Sequence, residues 1–248
     1  MSCVLSAVDL HAGRPELLTE AFLLLFRVSE NTQAAQWFLE LNGVAQAGRT
    51  LRAFPDHQLI ATHACRCIWR TLEAHEPPAG VCVWGIVEAV CMVADAHPQD
   101  GALMGAVCSA LQALSLRATF EDDDVEDATL VLLRAIKEHS GQSTLVQHAF
   151  LALANLTHMS KVACVRLLVA PGGGSGIVLM REVRRQYPKD PQLSHNMARV
   201  LAAMAKYDEV LGELMSVQVQ EDLELSEADC ASDEEKKMLV QQTLSKLR

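Results

Sequence analysis

The chain has 248 residues, half of them apolar but only 4% aromatic, with a formal net charge of −10. That apolar content is too high for a disordered chain, no apolar run approaches the roughly 18 residues of a membrane-spanning helix, and Met1 to Leu10 lacks the basic region of a signal peptide. An acidic chain with few rings also lacks the broad basic footprint that nucleic-acid binding needs, so a cytoplasmic or nuclear protein is expected, with no membrane and no nucleic-acid partner.

Abundant Ala, Leu and Val favour helices. In chain order, Pro15 to Val28 reads as a first helix and Asn31 to Leu41 as a second. Four helix pairs follow. Their first members are Val44 to Phe54, Ile86 to Ala94, Ala128 to Ile136 and Ile177 to Arg185; their second members centre on Ala64 to Thr71, Val107 to Leu114, Ala149 to Leu156 and Met197 to Met204. Turns at 54–57, 97–101, 140–143 and 188–191 separate them, because proline lacks an N–H and Asp or Ser caps the next start. Acidic clusters at Glu121 to Asp127 and between Glu221 and Glu235 read as a solvated loop and tail, or as docking elements for a basic partner; without them basic residues slightly outnumber acidic ones. Ser232 and Glu235 form a capping-box pattern that opens a last helix, with Lys246 and Arg248 in its final turn.

The helices Ala21 to Val28, Ala64 to Thr71, Val107 to Leu114, Ala149 to Leu156 and Met197 to Met204 begin 43, 43, 42 and 48 positions apart. Offsets 0, 3, 4 and 7 stack on one helix face, and of the resulting 20 positions only Thr71 is polar. The spacing therefore predicts one buried seam, with Leu24, Leu111, Leu153 and Leu201 inside it. The eight cysteines fall mostly in such apolar segments, and with no export signal they are expected to be free thiols.

The Gly43-Val44 and Gly176-Ile177 openings, the proline-bearing turns and above all Gln147-His148-Ala149-Phe150-Leu151-Ala152-Leu153-Ala154-Asn155-Leu156 resemble the armadillo repeat, with the HEAT repeat as its relative. The resemblance covers Glu16 to Leu214, and the period agrees with the roughly 40 to 47 residues of such repeats. It implies an all-α fold, an α-solenoid (armadillo-like superhelix) of about four to five degenerate repeats. Residues 1–217 would form the repeat domain, 218–232 an acidic linker and 233–248 a helix covering the apolar end of the stack.

It also implies a non-enzymatic scaffold or regulatory module that binds a protein on its concave face, or, alternatively, the armadillo region of a larger kinase-like protein present as a fragment or isoform. Offsets 2 and 6 would line that face: Leu23 and Arg27, Arg66 and Arg70, Ser109 and Ala113, Leu151 and Asn155, Arg199 and Ala203. Family members that bind extended peptides carry Asn at the sixth offset, and here only Asn155 fits. The partner-binding candidates are thus Arg27, Arg66, Arg70, Asn155 and Arg199, and a groove rich in guanidinium suits an acidic or phosphorylated segment.

No catalytic residue, cofactor or metal is expected. His63, Cys65 and Cys67 stand two apart on a helix and diverge, unlike zinc ligands. The loop Gly172 to Gly176 lacks the Lys-Ser or Lys-Thr and the leading strand of a phosphate loop, and reads as a linker. Arg181, Arg184 and Arg185 read as a solvated basic face.

Overall fold

A computed structural model of the chain describes residues 1–77, 85–169, 173–216 and 234–247. Among these residues the regular structure is fourteen helices and no strand, so the chain is all-α. It divides into two compact units, Met1–Val131 and Leu132–Arg248, where the sequence reads one repeat domain as far as residue 217.

The first unit holds α1 (Ser2–Leu10), α2 (Pro15–Val28), α3 (Thr32–Glu40), α4 (Gly43–Ala53), α5 (Gln58–Ala74), α6 (Ile86–Ala96) and α7 (Gly101–Arg117), and it ends within α8 (Asp122–Glu138). The second holds the rest of α8 with α9 (Ser143–Met159), α10 (Lys161–Arg166), α11 (Gly176–Gln186), α12 (Pro191–Met204), α13 (Asp208–Ser216) and α14 (Glu234–Leu247). Helices α2, α5 and α7 lie side by side, with α4 against α5 and α6. In the second unit α9 lies against α12, and α14 lies against α12 and α13. The acidic segment 218–232, its Ser232 cap, Cys82, Cys230 and Gly172 are outside the described residues.

Most of the expected seam is buried. All four positions in each of α5, α7, α9 and α12 are essentially inaccessible, Thr71 included. Helix α2 differs: Leu24 is 48% and Val28 42% exposed. Its buried apolar residues are Leu18, Ala21, Phe22 and Leu25, a complete i, i+3, i+4, i+7 stripe of its own, with Thr19 buried beside them. The equivalent offset-3 residue Cys67 faces the preceding helix, its Sγ 3.4 Å from the Phe22 carbonyl, whereas no earlier repeat helix lies beyond α2 among the described residues. Leu24 and Val28 accordingly stay about half exposed among the described residues.

The acidic stretch is also not a loop. Asp122, Asp123 and Asp124 form the first turn of α8, where negative charge meets the positive end of the helix dipole. Burial and the neighbouring Asp95 raise the carboxyl of Asp127, and burial likewise raises that of Asp124. The described cysteines are free; burial pushes the Cys65 thiol up to about 12 and Cys164 to about 11, and raises Cys67 and Cys108 too. At neutral pH these are apolar fillers rather than nucleophiles.

Within each unit, hydrogen bonds recur between residues about one period apart. In the first, Gln46 Nε2 donates to the Leu5 carbonyl at a separation of 41, His97 Nε2 to Pro55 at 42, His75 Nε2 to Thr32 at 43 and Arg117 Nε to Leu72 at 45. In the second, Gln147 Nε2 donates to Asp190 at 43 and the Tyr187 hydroxyl to the Ser140 carbonyl at 47. His97 and Tyr187 both stand at helix C-caps, those of α6 and α11, and both reach back to the preceding turn.

Two capping aspartates join this pattern. Asp100 accepts from Ala102 N and Leu103 N at the start of α7 and from the Gln58 side chain. Asp190 accepts from Gln192 N at 3.0 Å and Leu193 N at 3.2 Å, and its second oxygen takes Gln147 Nε2 at 2.6 Å. Asp190→Ala is expected to cost about 1–2 kcal/mol, a normal cap loss, and Asp190→Asn much less; urea unfolding followed by circular dichroism distinguishes them, and equal losses would show that the cap is idle.

Candidate functional site

The side chains proposed for binding fall into two clusters, one in each unit. In the first, the parallel course of α2 and α5 sets Phe26 beside Arg66 and Arg70, which stand one turn apart. Both guanidinium carbons lie 5.7 Å from the centroid of the Phe26 ring, and that of Arg70 lies 4.9 Å from the Trp69 ring. An aromatic face attracts a cation without neutralising it. Arg49, Arg52 and Arg117 pair with Asp9, Glu88 and Glu76; among the described residues no such ion pair forms at Arg27, Arg66 or Arg70. Arg70 Nε is buried without a hydrogen-bond partner. Arg27 is exposed, and Arg66 and Arg70 are half-buried.

His63 belongs to this cluster. Burial is the largest cause of its lowered pKa, the Arg66 charge the next, and Arg27 adds to it against the opposing pull of Glu20. The imidazole is therefore neutral at pH 7, and the charge of the cluster is carried by its guanidinium groups.

In the second unit, Asn155 on α9 is buried and its Oδ1 accepts from Arg199 Nη2 of α12 at 2.9 Å, across a separation of 44 residues. Burial lowers the pKa of Arg199. Beside this pair, an open cavity of about 270 Å³ lies between α9, α12 and α14, with Arg199, Lys206 and Lys246 among its lining residues.

Arg27, Arg66 and Arg70 thus come together, as do Asn155 and Arg199, each set within its own unit. The expectation that offsets 2 and 6 all face outward is corrected by Ser109, Ala113, Asn155 and Ala203, which are buried: helices close over the short side chains, and Asn155 is held by its bond to Arg199. Arg184 is corrected as well. Only 5% of it is exposed, since it takes the i+7 place of the stripe Ile177, Met180, Arg184, and its Nη2 donates to Ser194 Oγ at 2.9 Å. Arg185 remains exposed. No group of three or more His, Cys, Asp or Glu is placed to hold a metal among the described residues.

Phe26 and Trp69, and in the second unit Lys206, are neighbours of the candidate residues that the sequence reading does not single out, while His63 enters it only as a rejected zinc ligand and Lys246 only as a helix-end cation. Helical spacing was a signal for His158, which stands three residues after Asn155 on α9.

Fold and site together define an all-helical protein with two cationic clusters. No family model matches the chain. Among solved structures it resembles two engineered proteins determined by crystallography. One superposes with a TM-score of 0.70 at 17% identity, covering 100% of this chain and 97% of the other. The second gives 0.65 at 16% identity, covering 100% and 99%. At such identity the likeness concerns the fold alone.

Proposed function

We propose that the chain is a non-enzymatic interaction module of armadillo-like α-solenoid type, with four to five degenerate repeats, that binds an acidic or phosphorylated segment of a protein partner. The recurrence of hydrogen bonds at separations of 41 to 47 residues supports the repeat reading, because repeat architectures place equivalent residues of neighbouring units in contact. The observation that carries the binding reading is the pair Arg66 and Arg70 over Phe26, without an ion-pair partner among the described residues. A half-desolvated guanidinium held by a ring gains by taking a carboxylate or phosphate in bidentate geometry.

Fluorescent peptides with Glu, Asp or phosphoserine in an otherwise neutral frame test this. Arg66→Glu with Arg70→Glu is expected to weaken binding at least about tenfold, the scale of about 1.4 kcal/mol, with helicity retained because both side chains are partly solvated. Unchanged affinity rejects the proposed surface.

A further inference from the structure

The cavity of the second unit has an origin in side-chain size. Between α9, α12 and α14 the cavity is lined in part by Ala154, Ala202 and Ala203, whose side chains end at Cβ and leave the space unfilled. Val240 and Leu244 of α14 are buried, and Thr243 Oγ1 is occupied by the Leu239 carbonyl at 2.8 Å, so this helix is seated rather than loosely apposed. What reaches into the remaining space is basic. Arg199 stands on α12 and Lys206 in the turn just after it; Lys246 enters from α14 and His158 from the end of α9. Among the described residues no carboxylate lines it.

Arg199 is the centre of the arrangement. Its guanidinium is half-buried, and its hydrogen bond goes to the Asn155 amide, which is neutral. The amide orients the fork without cancelling its charge. Among the described residues no ion pair forms at Arg199, Lys206 or Lys246, whereas Lys161 of the same unit does pair with Glu209. Leaving a partly desolvated cation uncompensated is unfavourable, and a bound anion relieves that cost.

We propose that this cavity is a binding site for a phosphomonoester group, held by Arg199, Lys206 and Lys246. Phosphate fits better than carboxylate on charge and valence. A carboxylate carries one charge and satisfies one guanidinium fork, leaving two ammonium groups unmatched. A phosphomonoester carries about −1.5 to −2 at pH 7 and offers three acceptor oxygens, one for each of the three cations. Gln242, one turn before Lys246 on α14, supplies a neutral donor at the rim. The site is composite: α12 provides Arg199, the turn after it Lys206, and α14 provides Lys246. It deepens the reading of the chain as a binder of phosphorylated segments and rests on that reading for the source of the phosphate, but its residues belong to a different unit from Arg66 and Arg70.

Isothermal titration of the full chain tests it with four probes at one ionic strength: inorganic phosphate, O-phosphoserine, the peptide acetyl-Ala-Ala-phosphoserine-Ala-Ala-amide, and the same peptide with Glu in place of phosphoserine. The phosphopeptide is expected to bind at least about tenfold more tightly than the Glu peptide. Lys206→Ala with Lys246→Ala, and separately Arg199→Gln, should each reduce phosphopeptide affinity about tenfold or more, while Arg66→Glu with Arg70→Glu leaves this site intact. Both lysines are exposed, so their double variant stays folded even if Arg199→Gln does not. Phosphopeptide binding tighter than that of O-phosphoserine identifies a phosphorylated segment as the source, and equal binding of all phosphate probes identifies a free phosphate or small phosphomonoester; either supports the site. Glu-peptide affinity equal to that of the phosphopeptide, absence of phosphate binding, or binding unaffected by the lysine pair overturns it. Loss of phosphopeptide binding only in the Arg66 and Arg70 variant would overturn this site while leaving the first-unit surface standing.

Discussion

Leu114→Ala is expected to lower the stability of the first unit by about 2–5 kcal/mol, whereas Val28→Ala and Leu24→Ala should each change it by less than about 1 kcal/mol. Leu114 and Val28 hold the same offset in their helices, α7 and α2. Their difference lies in what surrounds them: Leu114 is fully buried, while Val28 is 42% and Leu24 48% exposed. Truncating Leu114 removes apolar area from the core and leaves a hole that rigid neighbours on both sides cannot close. At Val28 and Leu24 water already occupies much of the surrounding space, so little transfer free energy is lost. Tryptophan fluorescence reads this unit selectively, because Trp37, Trp69 and Trp84 all lie before Val131. Urea midpoints should shift strongly for Leu114→Ala alone, with the slope unchanged. Comparable shifts for all three variants would mean that α2 buries the same face as α7, against the exposure of Leu24 and Val28.

The contrast marks how far the fold was legible in the sequence. An apolar period of 3.6 specifies which face of a helix can be buried, and for α5, α7, α9 and α12 that face is buried. In α2 the same letters occur, but whether Leu24 and Val28 meet a neighbour depends on the place of the helix in the order, which local spacing does not encode. Helix α8 is read from the sequence over Ala128 to Ile136, but its acidic start was hidden for another reason. Its stripe Val125, Ala128, Leu132 and Ile136 is regular and buried, yet the interleaved Asp122, Asp123, Asp124 and Asp127 make the segment look like a solvated charge run. Arg184 inverts the case: a cation occupies a stripe position, and Ser194, ten residues later, makes its burial tolerable. The candidate sites divide in the same way. Arg66 with Arg70 and Asn155 with Arg199 were legible as offsets that repeat, but the ring between the first two and the cavity beside the second pair arise from helix pairs distant in sequence. The seat of α14, which brings Lys246 to Arg199, has no repeat spacing to announce it.

Gly176→Ala is expected to destabilise the second unit by about 1–3 kcal/mol, the usual cost of inserting volume where none is free. Alanine is the better helix former, so propensity alone predicts the opposite sign. Packing decides. A Cβ at Gly176 would lie 2.9 Å from the Leu167 carbonyl oxygen and 3.1 Å from both methyls of Leu133. The leucine tip can yield, but the carbonyl is backbone and moves only if the chain leaving α10 moves with it. Gly43 opens α4 in the same fashion, where a Cβ would overlap the Phe38 ring, itself only 1% exposed. The two glycine openings that resemble the armadillo pattern therefore share a physical cause: the start of the helix passes against the segment before it, too closely for a side chain. Gly105, inside α7, is the control. Nothing lies within 4 Å of its added Cβ, so Gly105→Ala should stabilise the first unit by about 0.5–1 kcal/mol through lost unfolded-state entropy and better helix propensity. Circular dichroism and tryptophan fluorescence during urea unfolding measure the pair. Stabilisation by Gly176→Ala would refute the close approach of α11 to Leu167, and with it the reason offered for glycine at that position.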